Sequence, residues 1–163
     1  MNFNDPGDDL MLLELKRISI GDMNMYINET KLKVRYVETD QMGIVHHSKY
    51  YVYFEVGRTE FITAIGMTYK EMEKNNIMLP VVESSCKYIE GAKYEDIIII
   101  QTFMKELNGV KVIFNYNVIR AEDGKILAKG STTHAFVNEK FRVVNLRKVN
   151  VDMWSKLKKL FEE

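Results

Sequence analysis

Residues Val34–Arg58 read VRYVETDQMGIVHHSKYYVYFEVGR, and the fold turns on how this stretch is parsed. Leu32, Val34 and Tyr36 alternate with polar residues, as in a half-buried strand, giving a first strand over Lys31–Val37. A loop holding Asp40, Gly43, His46 and His47 follows, and a long helical pattern opens at about Ser48. Helix starts carry unpaired backbone N–H groups and a partial positive charge. A carboxylate in the loop before one is chemically loaded. The donors can hold a developing oxyanion, and the carboxylate can serve as base or nucleophile.

On the C-terminal side, Tyr50, Phe54, Gly57, Phe61 and Ile65 recur at helical spacing, giving a helix over Ser48–Ile65 with Ser48 as N-cap. Gly57 costs about 1 kcal/mol of helix propensity, so its place in the apolar stripe implies close approach to a sheet. Gly66 ends the helix, and Thr68 with Glu71 supplies a capping box for a short helix to Asn75. From Leu79 the period becomes that of strands: Val81–Ile89, Asp96–Leu107, Val110–Arg120 and Lys125–Val137. Asn108-Gly109 and Glu122-Asp123-Gly124 mark hairpin turns. Asn138-Glu139-Lys140 turns the chain into an extended run over Phe141–Leu146, and a helix over Val151–Phe161 presents Trp154, Leu157 and Phe161 on one face. One long apolar helix followed by long antiparallel strands is an α+β pattern. Strands this apolar are hazardous at an open edge, so pairing with a second copy is expected, in a homodimer or homotetramer.

On the N-terminal side, residues 1–24 do not resemble the rest. Leu10, Leu13 and Leu15–Ile18 fit one short amphipathic helix, and the segment reads as an extension of uncertain role before a single domain over 25–163. Asp5, Asp8 and Asp9 precede the apolar run Leu10–Leu13, where a secretory leader would be basic. The single cysteine, Cys86, allows no internal disulfide, so a reducing, cytoplasmic setting is expected. No apolar run approaches the length of an integral membrane helix. With 23 basic and 23 acidic side chains, nothing drives the whole chain toward nucleic acid.

Other chemistries find little support. There is no Gly-x-Ser-x-Gly elbow, no P-loop and no dinucleotide fingerprint. Asp40, His46, His47 and the distant His134 lack metal-ligand spacing, so no metal site is expected. Cys86 has no base motif around it and reads as a packed thiol. Glu55 and Arg58, three apart on a helix, fit an exposed ion pair as readily as a functional one.

Tyr36, Thr39-Asp40, Gly43-Ile44-Val45, His47, Tyr50, Glu55 and Arg58 together resemble the signature of the 4-hydroxybenzoyl-CoA thioesterase-like family. Further likeness lies in Lys87-Tyr88, Ala92–Asp96 and Thr133–Val137, so that it covers about Lys31–Asn145. The resemblance implies a hotdog fold, a long central helix wrapped by a curved antiparallel sheet of about five strands. It implies hydrolysis of an acyl-CoA thioester to free acid and CoA. The family's carboxylate falls on Asp40 as nucleophile or general base, and its helix-start amide falls near His47. Gly43, Tyr50, Glu55 and Arg58 fall on supporting positions. Lys87, Lys93 and Lys105 are weaker candidates for CoA phosphates. No cofactor is implied, coenzyme A being part of the substrate. Two departures are His46, where relatives often have tyrosine, and Val143-Val144-Asn145, where a proline is often found. The alternatives are a non-catalytic acyl-CoA or acyl-carrier binding module, or a hotdog hydratase or dehydratase, whose signatures are not found.

Overall fold

A computed structural model describes residues 17–20 and 23–162. The elements are β1 (Arg17–Ile20), β2 (Met23–Tyr26), β3 (Asn28–Lys33), α1 (Lys49–Ala64), α2 (Tyr69–Lys74), β4 (Val81–Tyr88), β5 (Ile97–Leu107), β6 (Lys111–Arg120), β7 (Ile126–Ala135), α3 (Leu146–Val149) and α4 (Val151–Glu162). Five strands form one antiparallel sheet in the order β3-β5-β6-β7-β4, and β1 and β2 form a separate hairpin. The α+β hotdog arrangement expected from the sequence is the one found. Among the described residues no helix is long and apolar enough to cross a membrane.

Alternation along the strands places α1. Ile98, Ile100, Thr102 and Met104 of β5 are buried, as are Val112, Phe114, Tyr116 and Val118 of β6. α1 lies on this face and buries Tyr50, Tyr53, Phe54, Gly57, Arg58, Phe61 and Ile62. Gly57 makes the close approach that the sequence implied. A Cβ there would sit 2.5 Å from Thr102 Oγ1 and 2.8 Å from Ile100 Cγ2. Gly130 of β7 gives the reciprocal notch, where a Cβ would fall 2.2 Å from Phe54 Cζ. Phe54 stacks on Tyr116 with centroids 4.5 Å apart, and Phe61 meets Tyr26 and Phe114. The Thr68–Glu71 capping box is present, with both reciprocal bonds formed.

Several expectations need correction. The first strand ends at Lys33, and Tyr36 lies in a 3₁₀ turn, 76% exposed. Ser48 makes no side-chain cap and already has helical backbone angles. Phe141–Leu146 forms no strand. Among the described residues its β-bridge is Val137 to Val143, and Leu146 opens α3. The buried stripe of α4 is Met153, Leu157 and Leu160, while Trp154 is half-buried and Phe161 exposed. The helix expected over Leu10–Ile18 falls mostly outside the described residues, and at its end Arg17–Ile20 is a strand.

β3 and β4 are the sheet edges. β4 is solvent-exposed at every residue except Cys86, with Val81 and Val82 more than half exposed. The site sits beside this edge.

Candidate active site

The loop from β3 to α1 is folded by local bonds and then clamped to the helix. Backbone segments 38–40 and 44–46 pair with each other. Asp40 N–H donates to Ile44 O at 2.9 Å, and His46 N–H donates to Glu38 O at 2.9 Å. Gly43 closes the turn at φ +76°, in the left-handed region that favours glycine. Its N–H donates to Asp40 O at 2.9 Å.

The clamp is Glu38, a carboxylate only 4% exposed. It accepts from Arg35 N–H at 2.8 Å, from the Arg35 guanidinium and from the Tyr53 hydroxyl at 3.1 Å. Burial pushes its carboxyl up, but those three donors outweigh burial and hold it below the usual carboxylate range. Burial, reinforced by the Glu38 charge, pushes the Tyr53 phenol up, so Tyr53 stays a donor. The loop is thereby fixed to the first two turns of α1.

A second tether comes from the segment before β5. Val45 N–H donates to Ala92 O at 2.8 Å, and Ile44 bridges to Lys93. Ala92 N–H in turn meets the Tyr50 hydroxyl at 3.4 Å. A third comes from β4, whose Tyr88 hydroxyl donates to His47 O at 3.1 Å. Tyr88 packs edge-on against Tyr50 and His47.

These elements border an open cavity of about 190 Å³ lined by Asp40, Met42, His47, Tyr50, Tyr88 and Glu90, among others. Two larger cavities, of about 390 and 220 Å³, lie against α4, and no residue of the quoted loop lines either. Asp40 Oδ1 accepts from Met42 N–H at 2.8 Å, while Oδ2 takes no bond from the described residues. His47 N–H likewise finds no acceptor among them. The imidazoles of His46 and His47 lie against each other at 4.1 Å. His46 Nδ1 engages the Ser48 hydroxyl at 2.8 Å and accepts from Ser48 N–H at 3.3 Å. That engagement explains why Ser48 does not cap the helix. Asp40, with one carboxylate oxygen unengaged, and His47, with its N–H unengaged, thus line the same cavity.

The other sequence candidates are placed differently. Glu55 is exposed and makes no ion pair with Arg58. Arg58 turns into the core, donating from Nε to Tyr69 Oη at 3.0 Å and from Nη1 to Tyr116 Oη at 3.3 Å. From Tyr116 the bonds continue to Thr132 at 2.7 Å, from Thr132 to His134 Nε2 at 2.8 Å, and from His134 Nδ1 to Leu79 O at 3.0 Å. Burial, with the Arg58 charge adding, pushes the His134 imidazole down to about 4. None of Glu55, Arg58, Lys87, Lys93 and Lys105 lines the cavity. Lys93 adjoins it through the Ile44 bridge, Lys87 sits across from Lys129 on β4, and Lys105 lies at the β5 bulge. Sequence reasoning missed Glu38, Tyr53 and the hydroxyl of Tyr88. Glu38 lay in plain view three residues after Arg35, where the pair can close a turn upon itself.

Comparison with known proteins gives one consistent answer. The family model of the thioesterase-like superfamily matches residues 34–157. A Bacillus subtilis protein named "Putative acyl-CoA thioesterase YneP" is 35% identical over 129 residues, covering 78% of this chain and 93% of the relative. The structure of DHNA-CoA thioesterase from Staphylococcus aureus superposes with a TM-score of 0.78 at 27% identity, covering 82% of this chain and 90% of that one. A second Staphylococcus aureus protein, solved in complex with CoA, shares the fold at 14% identity and a TM-score of 0.73, over 88% of this chain and 90% of its own. The chain belongs to the thioesterase-like superfamily.

Proposed function

We propose that this member of the superfamily hydrolyses acyl-CoA thioesters at the Asp40 cavity. The observation that carries the reading is the unengaged Asp40 Oδ2 and the unengaged His47 N–H on one small cavity at the start of α1. The thioester carbonyl oxygen accepts from His47 N–H, and the N-terminal end of α1, with roughly half a positive charge, favours the oxyanion as it forms. Asp40 then acts in one of two ways. Its Oδ2 attacks the carbonyl carbon, CoA leaves as the thiolate, and water hydrolyses the acyl-aspartyl anhydride. Alternatively, Oδ2 takes a proton from a water that attacks the same carbon. Both routes give free acid and CoA, and neither calls for a cofactor. The thiolate is a good leaving group, so no strong general acid is required.

Lys93 is the lysine best placed to reach CoA phosphates, since its segment forms one wall of the loop. Two copies pair along the exposed β4 edge. Tyr88, at the end of that strand, lines the cavity, so the second copy helps complete it. A stable monomer in light scattering at micromolar concentration would count against this pairing. The single cysteine suits the reducing cytoplasm as the working compartment.

Thiol release from a panel of aliphatic and aromatic acyl-CoA substrates tests the activity. Tight binding without turnover across the panel would replace hydrolysis with a binding role. Single-turnover hydrolysis in ¹⁸O-labelled water tests the nucleophilic route. Label in Asp40 establishes an anhydride opened at the aspartyl carbonyl, because direct attack of water on the thioester labels only the released acid.

A further inference from the structure

The end of the chain carries a charge that the rest does not. Between residues 139 and 163, seven Lys and Arg side chains stand against four carboxylates, Glu139, Asp152, Glu162 and Glu163, in a chain of zero formal net charge. Lys140, Arg142, Arg147, Lys148 and Lys159 are exposed. Interleaved with them are exposed apolar residues: Phe141 at 69%, Val143 at 62%, Val149 at 53% and Val151 at 63%. The turn that holds Lys140, Phe141 and Arg142 and the start of α4 flank the C-terminal end of α2. Asn76 Oδ1 accepts from Glu139 N–H at 2.7 Å, and Asn75, Asn150 and Asp152 line one cavity there.

Phe141 is the most telling residue of the surface. Its φ of +54° lies in the left-handed region, where a bulky side chain is strained and Gly or Asn is preferred. The turn itself is built by Asn138. Asn138 Oδ1 accepts from Lys140 N–H at 3.0 Å and Arg142 N–H at 3.1 Å, and Asn138 O accepts from Phe141 N–H at 2.9 Å. Neither backbone preference nor core packing accounts for an aromatic ring held outward at this point. Strain retained at an exposed apolar tip points to a role outside the chain's own fold.

We propose that this surface is a peripheral docking site for an anionic lipid bilayer. Phe141 and Val143 enter the headgroup boundary, and Lys140, Arg142 and Lys148 lie over lipid phosphates. A bilayer receives projecting apolar tips separated by cations without needing matched pockets. A second copy would bring the same basic surface against itself, which like-charge repulsion disfavours. The Asp40 cavity lies at the far end of α1, about 24 Å away along its axis. Gly66 and Met67, just past the C-terminal end of α1, line the same cavity as Asn150 and Asp152.

The test is sedimentation of the full chain with phosphatidylcholine vesicles, with and without phosphatidylglycerol. Binding is expected only to the anionic vesicles and is released by salt. Phe141→Asn suits the left-handed backbone, so the fold is kept, and vesicle affinity falls at least about tenfold. Arg142→Ser lowers it about fivefold. Thiol release from a soluble acyl-CoA is unchanged in both variants. Equal binding to neutral and anionic vesicles overturns the proposal, as does wild-type binding by Phe141→Asn. A changed oligomeric state in Phe141→Asn would make the face an interface between copies. A raised KM in Arg142→Ser would give the turn to CoA phosphates. An acidic carrier protein captured through Phe141, with vesicles ignored, would give it to a protein partner.

Discussion

The two halves of α1 handle polar groups in opposite ways. At its start, Asp40 keeps one carboxylate oxygen and His47 its N–H unengaged beside a cavity. Beyond Phe54, Arg58, Tyr116, Thr132 and His134 form a chain of bonds that ends on a backbone carbonyl, sealed in the core. Buried polar groups are costly unless bonded, so a satisfied row is what folding alone would select. Valences left open next to a cavity are what catalysis needs and folding does not. Under the proposed function the first half carries the chemistry and the second holds the fold, although both hold charged residues of the same apparent signature.

The largest expected effect breaks the first half. Asp40→Asn keeps the side chain's size and the bond from Met42 but removes its negative charge and basicity. Turnover at saturating acyl-CoA should fall at least about a hundredfold, the lower end of what a general base contributes. KM should change little, because the loss is confined to the transition state.

The second half should answer to pH. His134 stays neutral in the fold down to about pH 4, while in the unfolded chain it takes a proton near its ordinary value of 6.5. Between those values the unfolded state binds more protons. Stability contributed by the neutral imidazole is therefore present above about pH 6.5 and is lost as the pH falls toward 4. The loss is about 3 kcal/mol in total. Thermal midpoints across that window check it, and a His134→Gln protein should lack this slope.

Arg58→Met removes the donor to Tyr69 and Tyr116 and should cost about 1–3 kcal/mol of stability, visible as a lowered thermal midpoint. It also removes the charge that helps depress His134, so the acid-induced loss should shrink in this variant. An unchanged pH slope would uncouple the two residues and weaken the picture of one continuous row.

The smallest effect sharpens the border of the first half. Tyr88→Phe removes the hydroxyl that holds His47 O but keeps the ring against Tyr50. Turnover should fall about two- to tenfold, the range of one ordinary hydrogen bond. A full loss would make Tyr88 a direct participant.

What was legible in the sequence was local or periodic. The alternation of β6, the Thr68–Glu71 box, the apolar stripe of α1 and the tight approach at Gly57 all depend on near neighbours or on a regular period. The place of Asp40 in the loop before α1 was legible within one short window, and the fold sets His47, Tyr50 and Tyr88 around the same cavity. The errors came where a distant or competing partner decided the outcome. Ser48 reads as a cap, but His46 Nδ1 engages its hydroxyl and N–H first. Glu55 and Arg58 read equally as an exposed pair or as support for the site, yet two tyrosine hydroxyls from α2 and β6 draw Arg58 inward, away from Glu55. Tyr36 fits the strand period, but Glu38 closes a turn on Arg35 and ends that period early. Glu38 went unread, because part of what marks it is Tyr53 folded over it from α1.

The division of α1 into a working half and a structural half is tested most directly by measuring turnover and thermal midpoint on the same two proteins, Asp40→Asn and Arg58→Met. Asp40→Asn should melt with the wild type and lose at least about a hundredfold in turnover. Arg58→Met should melt lower and, below its transition, turn over acyl-CoA at close to the wild-type rate. Folded Asp40→Asn that hydrolyses acyl-CoA within a few-fold of wild type would contradict the account, because the open valences at the start of α1 would then not be the chemistry.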